Sequence, residues 1–158
     1  MIPAAFDYKK ADSAEEAIAL IVEHGDEAKL LAGGHSLIPM MKLRLAVPSV
    51  LVDIAGVEDL SYINDCGDHF AIGALTKHRL LETSDLLLAE CPLLAHVASK
   101  VGDPQVRHRG TLGGSLAHSD PASDLPAAIL ALGGSLIAEG PGGSREIAVA
   151  DFLTGYFE

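Results

Sequence analysis

The chain has no tryptophan, only two cysteines in 158 residues, and no apolar run of the length, about 18 residues, that a membrane-spanning helix requires. The cysteines, Cys66 and Cys91, are far apart and form no C-x-x-C motif. An iron–sulfur cluster or a structural zinc site needs more thiolates than this chain has. We therefore expect two reduced cysteines, no metal bound by this chain, and no membrane span.

Positive charge is also scarce, since 11 lysines and arginines stand against 22 aspartates and glutamates and give a net charge of -11. So acidic a chain repels phosphate backbones, which argues against a nucleic-acid partner. Basic residues do cluster at positions 77–79 and 107–109, either as solvated helix ends or as local docking or anion-facing sites. The N-terminus lacks the basic start and long apolar stretch of a signal peptide, so we expect a cytoplasmic location.

The first 55 residues alternate between strand and helix patterns. Ser13 and Glu16 have the spacing of a capping box, and the helix that they begin should end at Gly25. "AKLLAGG" predicts a short buried strand, residues 36 to about 45 predict a second helix, and "SVLVDI" predicts another strand. Residues 1–55 are therefore predicted to form a first, α/β lobe.

Residues 56–158 have a different pattern, which predicts a second, α+β lobe. A hairpin turns near Gly67, and a helical stretch runs from Thr76 towards Val101 with a break near Pro92. "SDLPAAILAL" predicts a further helix, and "GSLIAEG", "PGGS" and "REIAV" predict a closing hairpin. The fold class expected for the whole chain is α+β with two small lobes divided near Gly56.

A glycine pair interrupts "LAGGHSLIPMMKLRL" between a predicted strand and a predicted helix. Glycines let backbone N–H groups approach a ligand without interference from Cβ, and they adopt conformations that are closed to other residues. A helix start after them would add unpaired N–H groups and a partial positive charge, which suit a phosphate. Ser36 could cap this helix or donate its hydroxyl to the same anion.

The pattern returns in "GTLGGSL", where Ser115 follows Gly113 and Gly114. One such segment in each lobe could hold a pyrophosphate from opposite sides. The alternative is that both pairs are ordinary turns, as we expect of Gly133 and Gly134, and the G-x-G-x-x-G and G-x-x-x-x-G-K-[ST] fingerprints are absent.

The polar residues near these segments show no nucleophile and base pair, so we predict no catalytic side chain. Asp124 could begin the next helix or accept hydrogen bonds from a ribose hydroxyl. Asp120 and Asp124 lack the pattern of a calcium loop. His35 and His118 could line a ligand, and a bound cofactor would have to carry the chemistry.

Two long motifs, "LAGGHSLIPMMKLRL" and "DPQVRHRGTLGGSLAHSDPASDLPA", resemble the FAD-binding segments of a known family. This is the medium, flavoprotein subunit of molybdenum hydroxylases, of the carbon monoxide dehydrogenase and xanthine dehydrogenase type. The opening "MIPAAFDYKKADSAEEAIALI" and the ending "DFLTGYFE" are also similar to it. "HSDPASD" and the start of the chain are most similar to the carbon monoxide dehydrogenase branch.

The resemblance implies a two-lobed FAD-binding domain of the vanillyl-alcohol oxidase type, with FAD between the lobes. Residues near the pyrophosphate would be Ala32, Gly33, Gly34, His35 and Ser36, with Leu37 at the helix start. The opposing residues would be Thr111, Gly113, Gly114 and Ser115, with Leu112 near the flavin and Asp124 as a polar contact to FAD. The family also continues into a C-terminal α+β domain, which would begin where this sequence ends.

The same resemblance implies an electron-transfer subunit of an oxidoreductase. Its partners would be a small subunit with two [2Fe-2S] clusters and a large subunit with the molybdenum cofactor, and FAD would pass electrons to an external acceptor. The alternative is a non-catalytic module that binds a nucleotide with the same glycine segments. A third possibility is an interaction domain in which these segments are only turns.

Overall fold

A computed structural model describes residues 1–155, and the last three residues of the quoted ending lie outside this range. The strands are β1 (Asp7–Lys10), β2 (Ala28–Leu31), β3 (Val50–Asp53), β4 (Ile63–Asp65), β5 (Phe70–Ile72), β6 (Ser135–Gly140) and β7 (Gly143–Ala148). The helices are α1 (Ala14–His24), α2 (Leu37–Lys42), α3 (His78–Thr83), α4 (Asp85–Glu90), α5 (Pro92–Lys100), α6 (Pro104–Arg107), α7 (Leu112–His118), α8 (Asp124–Ala131) and α9 (Val149–Phe152). Short 3-10 helices occur at Gly25–Glu27 and Glu58–Leu60. The expected α+β class is confirmed.

Strands β1, β3 and β2 form a parallel sheet in that order. The central strand, β3, has the continuous apolar sequence that a strand buried on both faces requires, and its first three residues are buried. Helix α1 begins as the capping box predicts, because the Ser13 hydroxyl accepts a hydrogen bond from the Glu16 N–H at 3.1 Å. It packs its apolar face on this sheet around Ala17, Ala28 and Val52.

Two details of this sheet differ from the sequence prediction. Strand β2 is an edge strand and not a buried one, since it pairs with β3 alone and leaves Leu30 47% exposed. Helix α2 spans only Leu37–Lys42, because Leu43 caps it and Arg44 follows with a φ of 62°. A left-handed residue ends a helix, so the apolar Leu45 lies beyond it.

The second core forms around three helices, α3, α4 and α5, where the sequence pattern predicted a helical stretch with one break. Besides the expected break at Pro92, a further break occurs at Ser84, whose hydroxyl accepts from the Leu87 N–H at 3.3 Å and so begins α4. Serine before aspartate is a helix-start signal, and here it overrides the continuous apolar periodicity. The members of this core come from α3, α4, α5, α7 and α8, and its fully buried side chains include Leu81, Leu87 and Leu125.

Both predicted hairpins are present, β4 with β5 and β6 with β7. Gly133 has a φ of 67° just after α8, which confirms that this third glycine pair belongs to a helix end and turn. The two apolar cores draw on residues 11–54 and 63–136 respectively. The division into lobes near Gly56 is compatible with these cores and stays a prediction.

Candidate functional site

The fold brings the two glycine segments, residues 32–37 and residues 110–115, into direct contact. Gly33 lies against the peptide that joins Arg109 to Gly110. A Cβ on Gly33 would overlap the Arg109 carbonyl oxygen and would stand 3.0 Å from the Gly110 Cα. Only a glycine permits this approach, because real Cβ atoms do not come so close to a backbone. The segments lie 73 or more residues apart in sequence, and we name them the first and second glycine segments.

The first glycine segment presents unpaired hydrogen-bond donors. Within residues 1–155, no acceptor is bonded to the backbone N–H groups of Gly33, Gly34, His35, Ser36 and Leu37. Gly34 has a φ of 76°, a conformation that L side chains rarely adopt. Consecutive free N–H groups around such a turn form a concave donor surface, which is suited to an anion.

Ser36 does not cap the helix that follows it. It is the residue before α2, but its side chain makes no capping hydrogen bond. Because the hydroxyl is not used to stabilise the helix, it is free to donate to a ligand next to the N–H groups. His35 is exposed on the same segment, whereas Ala32 and Leu37 are half-buried at its two ends.

The second glycine segment differs from the first, because most of its N–H groups are already bonded within the chain. The bonds run from Leu112 to the Thr76 carbonyl (3.0 Å), from Gly113 to the Ala74 carbonyl (2.8 Å) and from Gly114 to the Thr111 hydroxyl oxygen (3.2 Å). The remaining donors that could face a ligand are the hydroxyl groups of Thr111 and Ser115 and the Thr111 N–H, which has no acceptor among residues 1–155.

The glycines of the second segment therefore serve close packing more than ligand donation. A Cβ on Gly113 would stand 2.8 Å from the Ala74 carbonyl oxygen, and one on Gly114 would stand 2.7 Å from the Thr111 hydroxyl oxygen. Leu112 is only 6% exposed and belongs to the larger apolar core. These contacts hold the start of α7 against the turn after β5.

A buried histidine that the sequence analysis did not select lies directly beneath the second segment. His78 is 3% exposed, and its backbone N–H donates to the Gly110 carbonyl at 3.0 Å. Its ring Nε2 lies 3.1 Å from the Ser115 Oγ. Burial lowers its pKa below the ordinary 6.5; the Thr111 backbone opposes this shift and the charge of His35 adds to it. Its position inside a basic run made it look like part of a solvated helix end.

The two basic runs meet in space. Lys77 and Thr111 form an isolated antiparallel bridge, which brings residues 77–79 beside residues 107–111. Arg107 donates to Glu82 at 3.0 Å and to the carbonyls of Val101 and Gly102 at 3.1 and 3.3 Å. This network anchors the turn that carries Arg109 towards Gly33. The Glu82 carboxylate also lies 3.1 Å from the Arg79 guanidinium.

Asp124 is placed apart from the contact between the two segments. It is the first residue of α8, it is exposed, and its carboxylate makes no hydrogen bond to residues 1–155. A cleft of about 330 Å³ opens nearby, with a lining that includes Ser119, Asp120, Ser123, Pro126, Leu153 and Thr154. Helix α8 packs on α7, which gives Asp124 an indirect link to Ser115. His118 ends α7.

Residues 4–158 match the protein family described as the FAD binding domain in molybdopterin dehydrogenase. The chain belongs to this family. It is 45% identical over 157 residues to the carbon monoxide dehydrogenase medium chain of Hydrogenophaga pseudoflava, and this match covers 99% of this chain and 55% of that protein. It is 44% identical, again over 157 residues, to subunit alpha of the 6-hydroxypseudooxynicotine dehydrogenase complex of Paenarthrobacter nicotinovorans, covering 99% of this chain and 53% of the relative.

Solved structures of the family have the same fold. Carbon monoxide dehydrogenase from Hydrogenophaga pseudoflava lacking the Mo-pyranopterin moiety of its cofactor superimposes with a TM-score of 0.98 at 46% identity. Quinoline 2-oxidoreductase from Pseudomonas putida 86 gives a TM-score of 0.96 at 34% identity. Each match covers all of this chain and 55% of the other chain. The chain thus spans about half the length of the curated relatives and structures that it matches. The sequence-based recognition of the FAD-binding medium subunit family is confirmed.

None of the helices within residues 1–155 combines the length and the hydropathy needed to cross a membrane.

Proposed function

We propose that this chain is the FAD-binding part of an electron-transfer subunit in a molybdenum hydroxylase, an oxidoreductase. The observation that carries the proposal is the first glycine segment, with its free N–H groups and the left-handed Gly34, held in contact with the second segment. The membership of the chain in a family described as FAD-binding supplies the identity of the ligand.

In this proposal the pyrophosphate lies on the N–H groups of residues 33–37, and Ser36 adds its hydroxyl. Ala32 and Leu37 position the ends of the segment, and His35 lies beside the ligand. Each hydrogen bond to a charged oxygen contributes roughly 1.5–3 kcal/mol, so several donors retain the cofactor even on an acidic protein. Helix α2 has six residues, so the individual N–H groups matter more than its dipole.

The second segment closes the site through side chains. Thr111 and Ser115 offer hydroxyl groups to the ligand, while Gly113, Gly114 and the buried Leu112 shape the wall beside the flavin. Asp124 retains its proposed role as a polar contact to FAD. Its exposed carboxylate has no partner among residues 1–155, so it remains available to a ribose hydroxyl.

When bound, FAD would supply the redox chemistry that connects a partner's [2Fe-2S] clusters with an external electron acceptor. The chain's own residues bind and orient it and exclude water. The proposed partners are an iron–sulfur small subunit and a large subunit with the molybdenum cofactor. One solved structure that this chain matches is described as a Cu,Mo carbon monoxide dehydrogenase, which supports a molybdenum-containing partner. The cytoplasmic location stays a prediction.

The substrate does not follow from this domain. The carbon monoxide and 6-hydroxypseudooxynicotine relatives are 45% and 44% identical to it, although their substrates are chemically unrelated. Near-equal identity across such different substrates supports the proposal that substrate is bound by another subunit. The chain's own specificity would then be for FAD and for its protein partners.

An absorption spectrum of the purified chain, recorded before and after incubation with FAD and removal of the excess, tests the proposal. A retained flavin spectrum is the expected result. If a folded chain retains no flavin, the same measurement on a chain extended to the length of its relatives decides the matter. Failure of both would overturn the FAD-binding role and leave the alternative of glycine segments that act only as turns.

A further inference from the structure

The second glycine segment contains a buried polar contact that the proposed function does not explain. His78 is the first residue of α3, and its ring lies beneath Gly110 so closely that a Cβ there would stand 2.7 Å from the ring Cε1. The same Gly110 adjoins Gly33 of the first segment. Contacts therefore run without interruption from Gly33 through Gly110 and His78 to Ser115.

The two ring nitrogens of His78 are in unequal environments. Nε2 lies 3.1 Å from the Ser115 Oγ, whereas the buried Nδ1 has no hydrogen-bond partner among residues 1–155. The Thr111 backbone is close enough to the ring to raise the pKa of His78, but it forms no hydrogen bond with Nδ1. A neutral imidazole has one donor and one acceptor nitrogen, so the partners decide which nitrogen carries the proton.

We propose that His78 is a positioning residue for the FAD site, in which its Nε2–H donates to Ser115 and turns the Ser115 hydroxyl hydrogen towards the ligand. A buried N–H without an acceptor is rare in proteins, so the proton belongs on Nε2 and the lone pair on Nδ1. A serine hydroxyl can accept one hydrogen bond while it donates another. The opposite tautomer would consume the Ser115 hydrogen and leave the ligand only oxygen lone pairs.

This inference rests on the proposed function, because it names a residue that orients one of the ligand's donors. It also gives a reason for the glycine at position 110, where a side chain would displace the ring. His78 does not need to touch the ligand. Its effect passes through Ser115, which distinguishes it from a residue that only fills the core.

A double-mutant cycle on FAD affinity tests the coupling. The purified chain and its variants His78→Leu, Ser115→Ala and the combination of both are titrated with FAD, with flavin fluorescence as the signal and thermal unfolding recorded in parallel. We expect each single variant to weaken binding roughly tenfold and the double variant to bind like Ser115→Ala. His78→Gln, whose amide N–H can replace Nε2–H, should recover most of the affinity.

Nitrogen NMR of ¹⁵N-histidine-labelled chain, with the His78 signal identified by its loss in His78→Gln, measures the tautomer directly. A proton on Nε2 supports the proposal, and a proton on Nδ1 overturns it. Additive losses in the double variant would also overturn it, since the ring would then act independently of Ser115. If the wild type binds FAD and both single variants match it, the positioning role is wrong while the proposed function stands.

Failure of the wild type itself to bind FAD, even when extended, would remove the proposed function and the positioning role together. The NMR measurement would still decide whether His78 donates to Ser115, because it needs no ligand. The two proposals can thus be separated.

Discussion

The backbone of Gly33 and the carbonyl oxygen of Arg109 lie in direct contact, with no room for a Cβ between them. This one contact joins a loop that follows a parallel strand to a loop that begins a helix of the second core. The Arg107 network and the buried His78 hold the second of these loops from behind. The site is therefore a junction between two loops, and each is fixed by its own part of the fold.

Replacing Gly33 with alanine should separate the two loops. The added Cβ would overlap a backbone carbonyl, which cannot yield as a flexible side chain can, so we expect a loss of about 1–3 kcal/mol in stability and a marked loss of FAD affinity. Thermal unfolding and FAD titration measure the two effects.

Gly140→Ala is a matched control, because a Cβ at that glycine has no atom within 4 Å and its φ is not in the left-handed region. It should unfold and bind FAD like the wild type. If Gly33→Ala behaves in the same way as this control, the close approach of the two loops is wrong.

Ser36→Ala should weaken FAD binding, whereas Ser13→Ala should lower stability. Ser13 caps α1 and its loss should lower the free energy of unfolding by about 1 kcal/mol, without a change in FAD affinity. Ser36 makes no capping bond, so its alanine variant should keep its stability and bind FAD roughly tenfold more weakly. Denaturant unfolding and FAD titration of both variants test this; a stability loss in Ser36→Ala with unchanged affinity would show that the hydroxyl serves the helix.

His78 should make the stability of the wild type depend on pH. Its pKa in the folded chain is lowered from 6.5, chiefly by burial, so below pH 6.5 the unfolded chain binds more protons than the folded one. The stabilising contribution of the neutral ring is therefore complete above pH 6.5 and is lost as the pH falls towards the lower folded value.

The difference in unfolding free energy between the wild type and His78→Gln, measured from pH 8 to about pH 5, isolates this effect, because the remaining histidines are common to both. We expect the wild type to lose more stability on acidification. Glu82 does not disturb this window: although burial raises its pKa, Arg79 and Arg107 outweigh that effect and hold it below 4.5. Equal slopes for the two proteins would show that the ring is not buried in its neutral form.

Arg107→Met should destabilise the second core. The guanidinium is largely buried and donates to Glu82 and to two backbone carbonyls, so its loss should lower the free energy of unfolding by about 2 kcal/mol. Arg145→Met, on an exposed strand of the closing hairpin, is the control and should be close to neutral. The comparison uses denaturant unfolding, and similar values for the two variants would contradict the anchoring role of Arg107.

The sequence by itself determined the α+β class, the start of α1, the central strand and the two hairpins. These features depend on local rules, namely capping, apolar periodicity and turn chemistry, which act over a few residues. It also identified the family, because two long motifs in a fixed order carry more information than any single glycine pair. Matching relatives confirmed that recognition.

Only the tertiary structure decided how the glycines are used and which histidine matters. Both segments have the same local pattern, but the N–H groups of residues 33–37 have no acceptor within residues 1–155, while those of Leu112 and Gly113 are bonded to a turn 36 and 39 residues away in sequence. The edge position of β2 and the burial of His78 likewise depend on which strand or loop packs against them. Packing partners of this kind are chosen by long-range contacts, which local periodicity does not encode.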